Sequence, residues 1–479
     1  MATERQFLFV GGEWIKPASS KRIQVINATT EEVLGSVPEG SDEDIDRAVN
    51  AARGAFRGSA WAACTPAERG AALGRFADAI EKRAAQLAQS VSLQNGMPIT
   101  VAEQLESGYG VGVLRYYAGL ASGLCAEETR PSPLGSTTLV RRDPIGVVGA
   151  IVPWNFPVVL SIMKFGPALA AGCTIVLKPS PGTVFDSFIL AEAAEEARLP
   201  PGVINWVPGG RELGAYLVSH PGIDKVAFTG STAAGRQIAQ ACGRLLRPVS
   251  LELGGKSAAI ILEDALLDAV LQGLPMASLL NSGQACFSCT RILAPSKRYS
   301  EVVDGIAGLA SSLVIGDPLE RATHVGPMAS AAHRDRVEGY IAKGKSEAKL
   351  VAGGGRPPNQ PRGWFVQPTV FADVSNSSAI AREEIFGPVL SIIRYEDEGE
   401  AITIANDSEY GLGGTVWSSD SEHATQVARQ IETGTVGVNG YLPDLNAPFG
   451  GIKASGLGRE MGPESVAAYQ QLKSIYLMG

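Results

Sequence analysis

Short apolar runs alternate with amphipathic helical patterns through the middle of the chain. The apolar runs predict buried strands at 145–152, 173–177, 203–207, 225–228 and 251–253. Between them, apolar residues at helical spacing predict helices at 158–171, 185–198, 212–220 and 233–242. Strands that alternate with helices predict a parallel, doubly wound α/β sheet, whose ligands lie at the carboxyl ends of the strands.

The second half of the chain continues this alternation and predicts a second α/β unit. Strands are predicted at 258–262, 389–394, 413–417 and 436–439, and helices at 265–280, 302–314, 333–344 and 423–431. Residues 42–94, before the first sheet, are strongly helical. Two further stretches, 131–142 and 472–477, alternate apolar and polar residues, which is typical of exposed strands that need a pairing partner.

One uncharged stretch, 145–163, approaches the length of a membrane span. Pro153 and Pro157 interrupt it with Asn155 between them, so it predicts a strand–turn–helix junction and not a spanning helix. The first ten residues lack the long apolar core and the cleavage site of a secretory signal. We therefore expect neither secretion nor a membrane partner.

Composition and charge narrow the functional classes further. With 479 residues the chain exceeds what one hydrophobic core can serve, so more than one domain is expected. Glycine is abundant, 56 of 479 residues, as loops that approach a ligand closely require. The net charge of −8, without a basic cluster, disfavours binding to nucleic acid. Six cysteines in so long a chain are typical of a reducing compartment, so a cytoplasmic location is expected.

A glycine-rich turn at 228–235 follows a predicted strand and opens a predicted helix. Its glycines and small hydroxyl side chains would let backbone N–H groups approach a phosphate at the helix N-terminus. A strand–helix turn capped only by serine or threonine has the same pattern, so both interpretations stay open. The usual G-x-G-x-x-G fingerprint is missing, and the glycines at 254–255 do not begin a phosphate loop because residue 250 is serine.

Cys286 and Cys289 form a single C-x-x-C pair. A structural zinc site needs four ligands, and no second pair or histidine cluster accompanies this one, so a metal or dithiol site is not favoured. A buried structural cysteine is one alternative. The polar turn at 281–285 instead favours an exposed thiol at the tip of a loop. None of the four histidines is near Cys286 in sequence, although proximity in space stays open.

Glu252 lies between two leucines in an apolar strand that ends in two glycines. A carboxylate in such a place is either a structural group with satisfied hydrogen bonds or a base with a raised pKa. The neighbouring residues do not decide between these two roles.

Taken together and in this order, the motifs are similar to those of one known family. They lie at 9–14, 153–157, 177–180, 228–235, 251–256, 283–286, 384–388, 448–451 and 455–460. Through them the chain resembles the NAD(P)-dependent aldehyde dehydrogenase superfamily over nearly its whole length. The resemblance implies a Rossmann-like, doubly wound coenzyme domain (1–125 and 143–252), an α/β catalytic domain (253–445) and a small β extension for oligomerisation (126–142 and 465–479).

The resemblance implies three catalytic residues. Cys286 matches the nucleophile, whose thiolate adds to the aldehyde carbon and makes it tetrahedral before hydride transfer. Asn155 matches the amide that donates to the resulting oxyanion, beside the backbone N–H of Cys286. Glu252 matches the base that activates water to release the acid from the thioester. No catalytic metal is implied.

The cofactor implied by the resemblance is NAD or NADP. Trp154 and Ser231 match positions at the pyrophosphate, and Lys178 matches the lysine at the adenosine ribose. Glu384 matches the carboxylate at the nicotinamide ribose, with Phe386 packing against the ring. Other positions along the same path are Ser180, Pro181, Thr229, Gly230 and Leu253. Many relatives carry glutamate in place of Pro181, and that carboxylate favours NAD, so the proline predicts that both cofactors are used, with NAD as the main one. The alternative is that Pro181 only stiffens the strand-to-helix turn while another acidic group contacts the ribose.

The substrate positions implied by the resemblance carry no charge. They are Phe156, Leu160, Met163, Phe287, Leu445 and Phe449. A dicarboxylic semialdehyde would need an arginine or lysine partner, and a quaternary-ammonium aldehyde an aromatic or acidic cage. The expected reaction is therefore oxidation of a small apolar aldehyde, aliphatic, aromatic or terpenoid, to its carboxylic acid. A homodimer or homotetramer is expected.

Three other functions are weighed against this one. A CoA-acylating member of the superfamily would pass the acyl group to CoA, and the presence of Glu252 disfavours it. A binding protein that kept the fold without activity is disfavoured by the intact set of Cys286, Glu252 and Asn155. A thiol hydrolase that uses Cys286 without nicotinamide is disfavoured by the cofactor positions.

Overall fold

The computed structural model describes residues 3–58, 60–133 and 135–477. Residues 1, 2, 59, 134, 478 and 479, which the predicted domain segments include, lie outside the described residues. The strands are β1 (Thr3–Glu4), β2 (Leu8–Val10), β3 (Glu13–Ile15), β4 (Arg22–Ile26), β5 (Val33–Pro38), β6 (Glu127–Pro131), β7 (Thr137–Pro144), β8 (Val147–Ile151), β9 (Thr174–Lys178), β10 (Ile204–Trp206), β11 (Lys225–Thr229), β12 (Val249–Glu252), β13 (Ala258–Ile261), β14 (Arg291–Pro295), β15 (Lys349–Ala352), β16 (Thr369–Ala372), β17 (Val389–Tyr395), β18 (Gly414–Trp417), β19 (Gly437–Val438), β20 (Gly456–Leu457) and β21 (Gln470–Leu477).

The helices are α1 (Asp42–Gly58), α2 (Ala60–Ala63), α3 (Pro66–Glu81), α4 (Ala84–Asn95), α5 (Ile99–Val101), α6 (Gly110–Ser122), α7 (Pro157–Ala171), α8 (Phe185–Glu196), α9 (Arg211–Ser219), α10 (Thr232–Arg244), α11 (Leu267–Ser278), α12 (Tyr299–Ser312), α13 (Ala331–Glu347), α14 (Ala379–Arg382), α15 (Glu398–Asn406), α16 (Ser421–Ala428) and α17 (Gly462–Ala467). A π-helical segment, Ala102–Tyr109, joins α5 to α6. Short 3₁₀ turns lie at Leu280–Gly283, Ser296–Arg298 and Lys453–Ser455.

An eight-stranded sheet forms the first α/β unit, in the order β20-β12-β11-β8-β9-β10-β2-β3. Its five central strands, β8 to β12, are parallel, and the sheet is extended by antiparallel pairing at both ends. The strand order reverses between β8 and β11, so a crevice opens beyond the carboxyl ends of these two strands. The predicted doubly wound sheet is confirmed.

A seven-stranded sheet forms the second α/β unit, in the order β15-β16-β17-β14-β13-β18-β19. All its pairs are parallel except β15 with β16. The second predicted alternation is therefore confirmed as well. The strands predicted at 131–142 and 472–477 lie in a three-stranded antiparallel sheet of order β21-β7-β6. The first stretch is not one strand, because the backbone turns between β6 and β7, where Gly135 has a φ of 82°.

The uncharged stretch at 145–163 folds into β8, a turn and the first half of α7. Within the described ranges, no helix combines the length and the apolar character that crossing a membrane requires. Every residue of α7 is buried. Its first free backbone N–H groups, those of Val158 and Val159, donate to the carboxylate of Glu106, at 2.6 and 3.3 Å. The π-helical segment thus supplies the cap of α7.

Candidate active site

Two adjacent cavities of about 450 and 290 Å³ occupy the crevice beyond β8 and β11. Both are lined by the turn after β8 and by the turn after β11. All ten predicted cofactor residues line one or both: Trp154, Lys178, Ser180, Pro181, Thr229, Gly230, Ser231, Leu253, Glu384 and Phe386. The structure therefore brings together positions that are up to 232 residues apart, from Trp154 to Phe386.

The glycine-rich turn leads from β11 into α10 at the wall of this crevice. Ser231 is the N-cap of α10, and its hydroxyl accepts the backbone N–H of Ala234 at 3.3 Å. The positive end of the helix dipole and the uncapped N–H groups favour an anion there. Both interpretations of the turn, as a capped helix start and as a phosphate site, are thus compatible with the structure.

The far end of the larger cavity carries positive charge. Lys178 is buried, which lowers its pKa to about 8, and its ammonium donates to the carbonyls of Gly209 and Pro179 at 2.7 and 3.1 Å. Pro181 is exposed at the rim. Arg211, the first residue of α9, lines the same cavity, and the lining residues found in the described chain include no Asp or Glu. Arg211 was not predicted, because nothing in its neighbourhood in the sequence marks it.

Glu384 lies at the opposite end, in the smaller cavity. Its carboxylate accepts the backbone N–H of Gly255 at 3.1 Å, and burial raises its pKa to about 7. Gly254 lets this carboxylate approach closely, because a Cβ at that position would lie 2.4 Å from a Glu384 oxygen and would displace it. This carboxylate is therefore held against the glycine pair that follows β12.

His333 is a second residue that the sequence did not mark. It lines the smaller cavity together with Cys286, and its ring lies 5.1 Å from that of Trp154 and 5.8 Å from that of Phe386. Its Nε2 lies 2.6 Å from the carbonyl of Phe386, and burial lowers the pKa of the imidazole to about 4. The neutral ring therefore donates to that carbonyl and fixes Phe386, which has a left-handed φ of 64°.

An apolar cavity approaches Cys286 from the other side. It is lined by Leu105, Tyr109, Asn155, Phe156, Val159, Leu160, Met163, Leu280, Cys286, Phe287, Leu442, Pro443, Phe449 and Met461. None of these side chains is charged, and five of the six predicted substrate residues are among them. Leu445 is not among them, because its side chain turns toward α6, where its Cδ1 would lie 3.7 Å from a Cβ at Gly112.

Cys286 and Asn155 line both the apolar cavity and the smaller cofactor cavity. The expectation of an exposed thiol at a loop tip is wrong, because the loop is buried and only part of Cys286 is accessible. Burial, and then the charges of Glu252 and Glu384, raise the pKa of the thiol to about 12. Among the described residues, no group of three His, Cys, Asp or Glu side chains is arranged to hold a metal ion.

The amide of Asn155 has a fixed orientation. Its Nδ2 donates to the carbonyl of Gln284 at 3.0 Å, two residues before Cys286. An amide nitrogen carries two hydrogens, and this bond uses one of them. Within the described part of the chain, the second N–H has no protein acceptor. That free donor belongs to a side chain that lines the same two cavities as Cys286.

Glu252 ends β12 and is buried behind the wall of these cavities, and it is not a lining residue of either one. Among the described residues no side chain donates a hydrogen bond to either carboxylate oxygen, and the backbone N–H of Gly451 acts on the group as a donor. Burial and the nearby carboxylate of Glu460 raise its pKa well above the ordinary value, whereas Lys164 lowers it. Gly450 faces this group closely, since a Cβ there would lie 2.6 Å from Oε1. A buried carboxylate with a raised pKa and no side-chain partner favours the interpretation as a base over that of a satisfied structural group.

Known proteins resemble this chain along its whole length. The sequence profile of the aldehyde dehydrogenase family matches residues 14–475. A geranial dehydrogenase from Castellaniella defragrans is 70% identical over 479 residues, which is all of both chains. An aldehyde dehydrogenase from Mycobacterium tuberculosis, solved in complex with NAD+, superposes with a TM-score of 0.98 at 46% identity over 100% of this chain and 99% of that one. Aldehyde dehydrogenase C from Pseudomonas syringae, solved as a mutant with NAD+ and octanal, gives 0.95 at 41% identity over 98% and 96%.

Proposed function

The chain belongs to the aldehyde dehydrogenase family, and we propose that it oxidises apolar, terpenoid-type aldehydes to carboxylic acids with Cys286 as the nucleophile. The observation that carries this proposal is that an uncharged apolar cavity and the cofactor crevice meet at Cys286. The relative at 70% identity is named a geranial dehydrogenase, which supports the terpenoid class.

The crevice residues fit NAD(P)+. The N-terminus of α10 at Ser231 suits a pyrophosphate, and the Glu384 carboxylate can accept hydrogen bonds from ribose hydroxyls. Phe386, which His333 fixes, would pack against the nicotinamide ring. When bound, the cofactor supplies the acceptor for a hydride. Solved relatives contain NAD+.

Cofactor choice follows from the adenosine end of the crevice. Lys178 and Arg211 place positive charge there, and Pro181 stands where an acidic side chain would repel a 2′-phosphate. NADP+ is therefore accepted beside NAD+. The structure also favours this choice because no carboxylate lines the larger cavity within the described residues.

Addition of the thiol is the first covalent step. The pKa of Cys286 is high in the cofactor-free chain, so the thiol must give its proton to water as the sulfur adds. The sulfur then bonds to the aldehyde carbon, and the carbonyl oxygen becomes an oxyanion. The free N–H of Asn155 donates to that oxygen, and its orientation is already fixed by Gln284.

Release of the acid is the task of Glu252. After the hydride has left the tetrahedral carbon, the acyl group is held on Cys286 as a thioester. A water molecule must lose a proton to attack it, and Glu252 has a pKa raised toward the range of a general base. Water, and not CoA, is thus the acyl acceptor.

Oligomer formation rests on the sheet of β21, β7 and β6. Leu472 and Tyr476 are on one face of β21 and are 69% and 71% exposed, as expected for residues that a second subunit covers. We assign segments 126–142 and 465–479 to this contact in a homodimer or homotetramer, 1–125 and 143–252 to the coenzyme domain, and 253–445 to the catalytic domain. All six cysteines are free, which supports a cytoplasmic location.

One assay tests the proposal. Geranial is mixed with NAD+ or NADP+, with and without CoA, and reduced nicotinamide and geranic acid are measured together. Cys286→Ala is expected to abolish turnover, whereas Cys125→Ala, which removes an exposed thiol that lines none of the three cavities, is expected to retain it. Full turnover by Cys286→Ala would contradict the mechanism, and an acyl-CoA product would contradict water as the acceptor.

A further inference from the structure

The backbone carbonyl of Asn155 is held by two other buried asparagines. Asn95, the last residue of α4, donates from Nδ2 to this carbonyl at 3.1 Å and also to that of Trp154 at 3.1 Å. Asn281 donates from its own Nδ2 to the same Asn155 carbonyl at 3.0 Å. These three side chains are 0%, 3% and 1% exposed in chain order, so no water competes for the bonds.

The bonds between Asn155 and the loop before Cys286 run in both directions. Asn281 holds the main chain of residue 155, and the Asn155 side chain in turn holds the carbonyl of Gln284. Asn281 and Ser282 have left-handed φ values of 49° and 57°, a conformation that asparagine tolerates better than most residues. Gln284 closes the loop by donating to the carbonyl of Asn281 at 3.1 Å. The oxyanion donor and the nucleophile loop are therefore linked as one body.

We propose that Asn95 and Asn281 are positioning residues, which set where the free N–H of Asn155 points relative to Cys286. The inference rests on the proposed role of Asn155 as the oxyanion donor. Asn95 fixes the Asn155 carbonyl to α4, and Asn281 fixes it to the nucleophile loop, so loss of either bond frees the peptide that carries the donor. Oxyanion stabilisation depends on a donor placed in advance, so small displacements lower the rate of the step in which charge develops.

A matched control for Asn95 exists elsewhere in the chain. Asn205, in β10, is also 0% exposed, and its Nδ2 donates to two backbone carbonyls, those of Ile175 and Gly202, at 3.1 and 2.9 Å. Its Oδ1 accepts the N–H of Gly11, as the Oδ1 of Asn95 accepts that of Met97. Asn205 lines neither the crevice nor the apolar cavity. Asn205→Ala therefore removes an equivalent set of side-chain hydrogen bonds, none of which involves Asn155.

The experiment measures the rate of reduced-cofactor formation in a single turnover, with enzyme in excess over aldehyde, together with Tm. Asn95→Ala and Asn281→Gly are made in the native chain and in the Asn155→Ala chain; glycine suits the left-handed backbone at 281. In the native chain each is expected to lower the rate on the order of 10- to 100-fold. In the Asn155→Ala chain each is expected to lower it by less than about twofold, because the group it positions is gone.

Asn205→Ala is expected to lower Tm about as much as Asn95→Ala while leaving the single-turnover rate within about twofold of the native value. If Asn95→Ala does not fold, Asn95→Asp and Asn205→Asp make the same comparison, since both retain the acceptor oxygen. A Tm loss with an unchanged rate, or the same rate loss with and without the Asn155 amide, would overturn the positioning role alone. A native rate in Asn155→Ala itself would overturn the assignment of the oxyanion donor, and the inference with it.

Discussion

Lys164 of α7 and Glu460 form an ion pair in the protein interior, with side-chain exposures of 0% and 4%. The Lys164 ammonium also donates to the hydroxyl of Thr229 at 2.5 Å. Both members of the pair act on Glu252, because Glu460 raises the pKa of that carboxylate and Lys164 lowers it. Burial is the main cause of the raised pKa of Glu252, and the two charges move the pH above which it can serve as a base in opposite directions.

Removing one charge at a time is expected to move the acid limb of the kcat–pH profile in opposite directions. Glu460→Gln removes a like charge, so the pKa of Glu252 falls and the limb moves to lower pH. Lys164→Met removes an opposite charge, so the pKa rises and the limb moves to higher pH. Each single variant leaves an unpaired buried charge and is expected to lose roughly 3–5 kcal/mol of stability.

Lys297→Met is the control, because it breaks the exposed ion pair of Lys297 with Glu263 and is expected to leave the acid limb of the kcat–pH profile unchanged. Profiles are measured at a temperature at which every variant is folded. Shifts of the same sign in Glu460→Gln and Lys164→Met would contradict the electrostatic account.

Glu252→Gln is expected to separate the two chemical steps. Without a base for water, acyl transfer off Cys286 slows, so a burst of reduced cofactor should precede a slow steady state. Rapid-mixing absorbance at 340 nm measures the burst, whose amplitude should approach one per active site. Glu263→Gln, at an exposed ion pair, should keep the native time course. A burst rate as slow as the steady state would instead place Glu252 only in the activation of the thiol.

The value of kcat/KM should increase with the chain length of the aldehyde, because the cavity is apolar. Each methylene buried is worth about 0.8 kcal/mol, so the value should rise roughly fourfold per carbon from butanal until the cavity is filled. Met163→Ala, on the cavity wall, should flatten this slope. Met328→Ala, in the core of the second sheet, should not. A higher kcat/KM for succinic semialdehyde than for hexanal would show that the cavity does not select apolar chains.

Substitution of Pro181 or Arg211, at the adenosine end of the crevice, should change the preference between NADP+ and NAD+. Pro181→Glu places a carboxylate at the rim and is expected to weaken NADP+ selectively by roughly 1–3 kcal/mol. Arg211→Gln should weaken it in the same direction by removing a positive charge from the wall. Arg244→Gln removes an exposed charge outside the crevice and is the control. Dissociation constants for both cofactors decide the matter, and an unchanged ratio in Pro181→Glu would mean that residue 181 does not face the ribose.

Charged residues on the outer face of β21 should break the oligomer. Leu472→Lys with Tyr476→Lys puts two charges on one face, where burial against a second subunit would be costly. Gln471→Lys adds a charge on the opposite face of the same strand and should be tolerated. Light scattering coupled to size exclusion reports the mass. An unchanged mass in the double variant would place the subunit contact elsewhere.

The sequence was sufficient for most of the parallel strands and for the positions that carry recognisable motifs, but not for the order of the strands. Most buried strands read as apolar runs, as in β8 and β9, which is why the alternation was recognised. Strands β14 and β16 are buried as well and were not predicted. Strands β4 and β5 were not predicted, because β4 is half exposed and β5 contains both glycine and proline. The hairpin turn within 131–142 was missed because alternation alone does not mark where a strand reverses.

The site residues that sequence reasoning missed are those whose role depends on distant partners. His333, Arg211 and the pair of Lys164 with Glu460 have no local pattern, and only the fold brings them to the crevice or to Glu252. The wrong prediction that the Cys286 thiol is exposed has a related cause. The polar turn at 281–285 looks like a surface loop, yet its amides and hydroxyl bond inside the protein, as Ser282 does to the carbonyl of Gly326 at 3.0 Å.

A change in the length of the π-helical segment Ala102–Tyr109 would change the shape of the apolar cavity. Leu105 and Tyr109 form part of its wall, and the hydroxyl of Tyr109 reaches the carbonyl of Pro443 at 2.9 Å. A π-turn holds one residue more than an α-turn, so deleting a single residue there would restore α-helical winding and rotate Tyr109 off the wall. Glu106 lies in the same segment and caps α7, which begins two residues after Asn155. Insertions and deletions in this segment would therefore alter the wall of the apolar cavity while leaving Asn155 in place only where the Glu106 cap is kept.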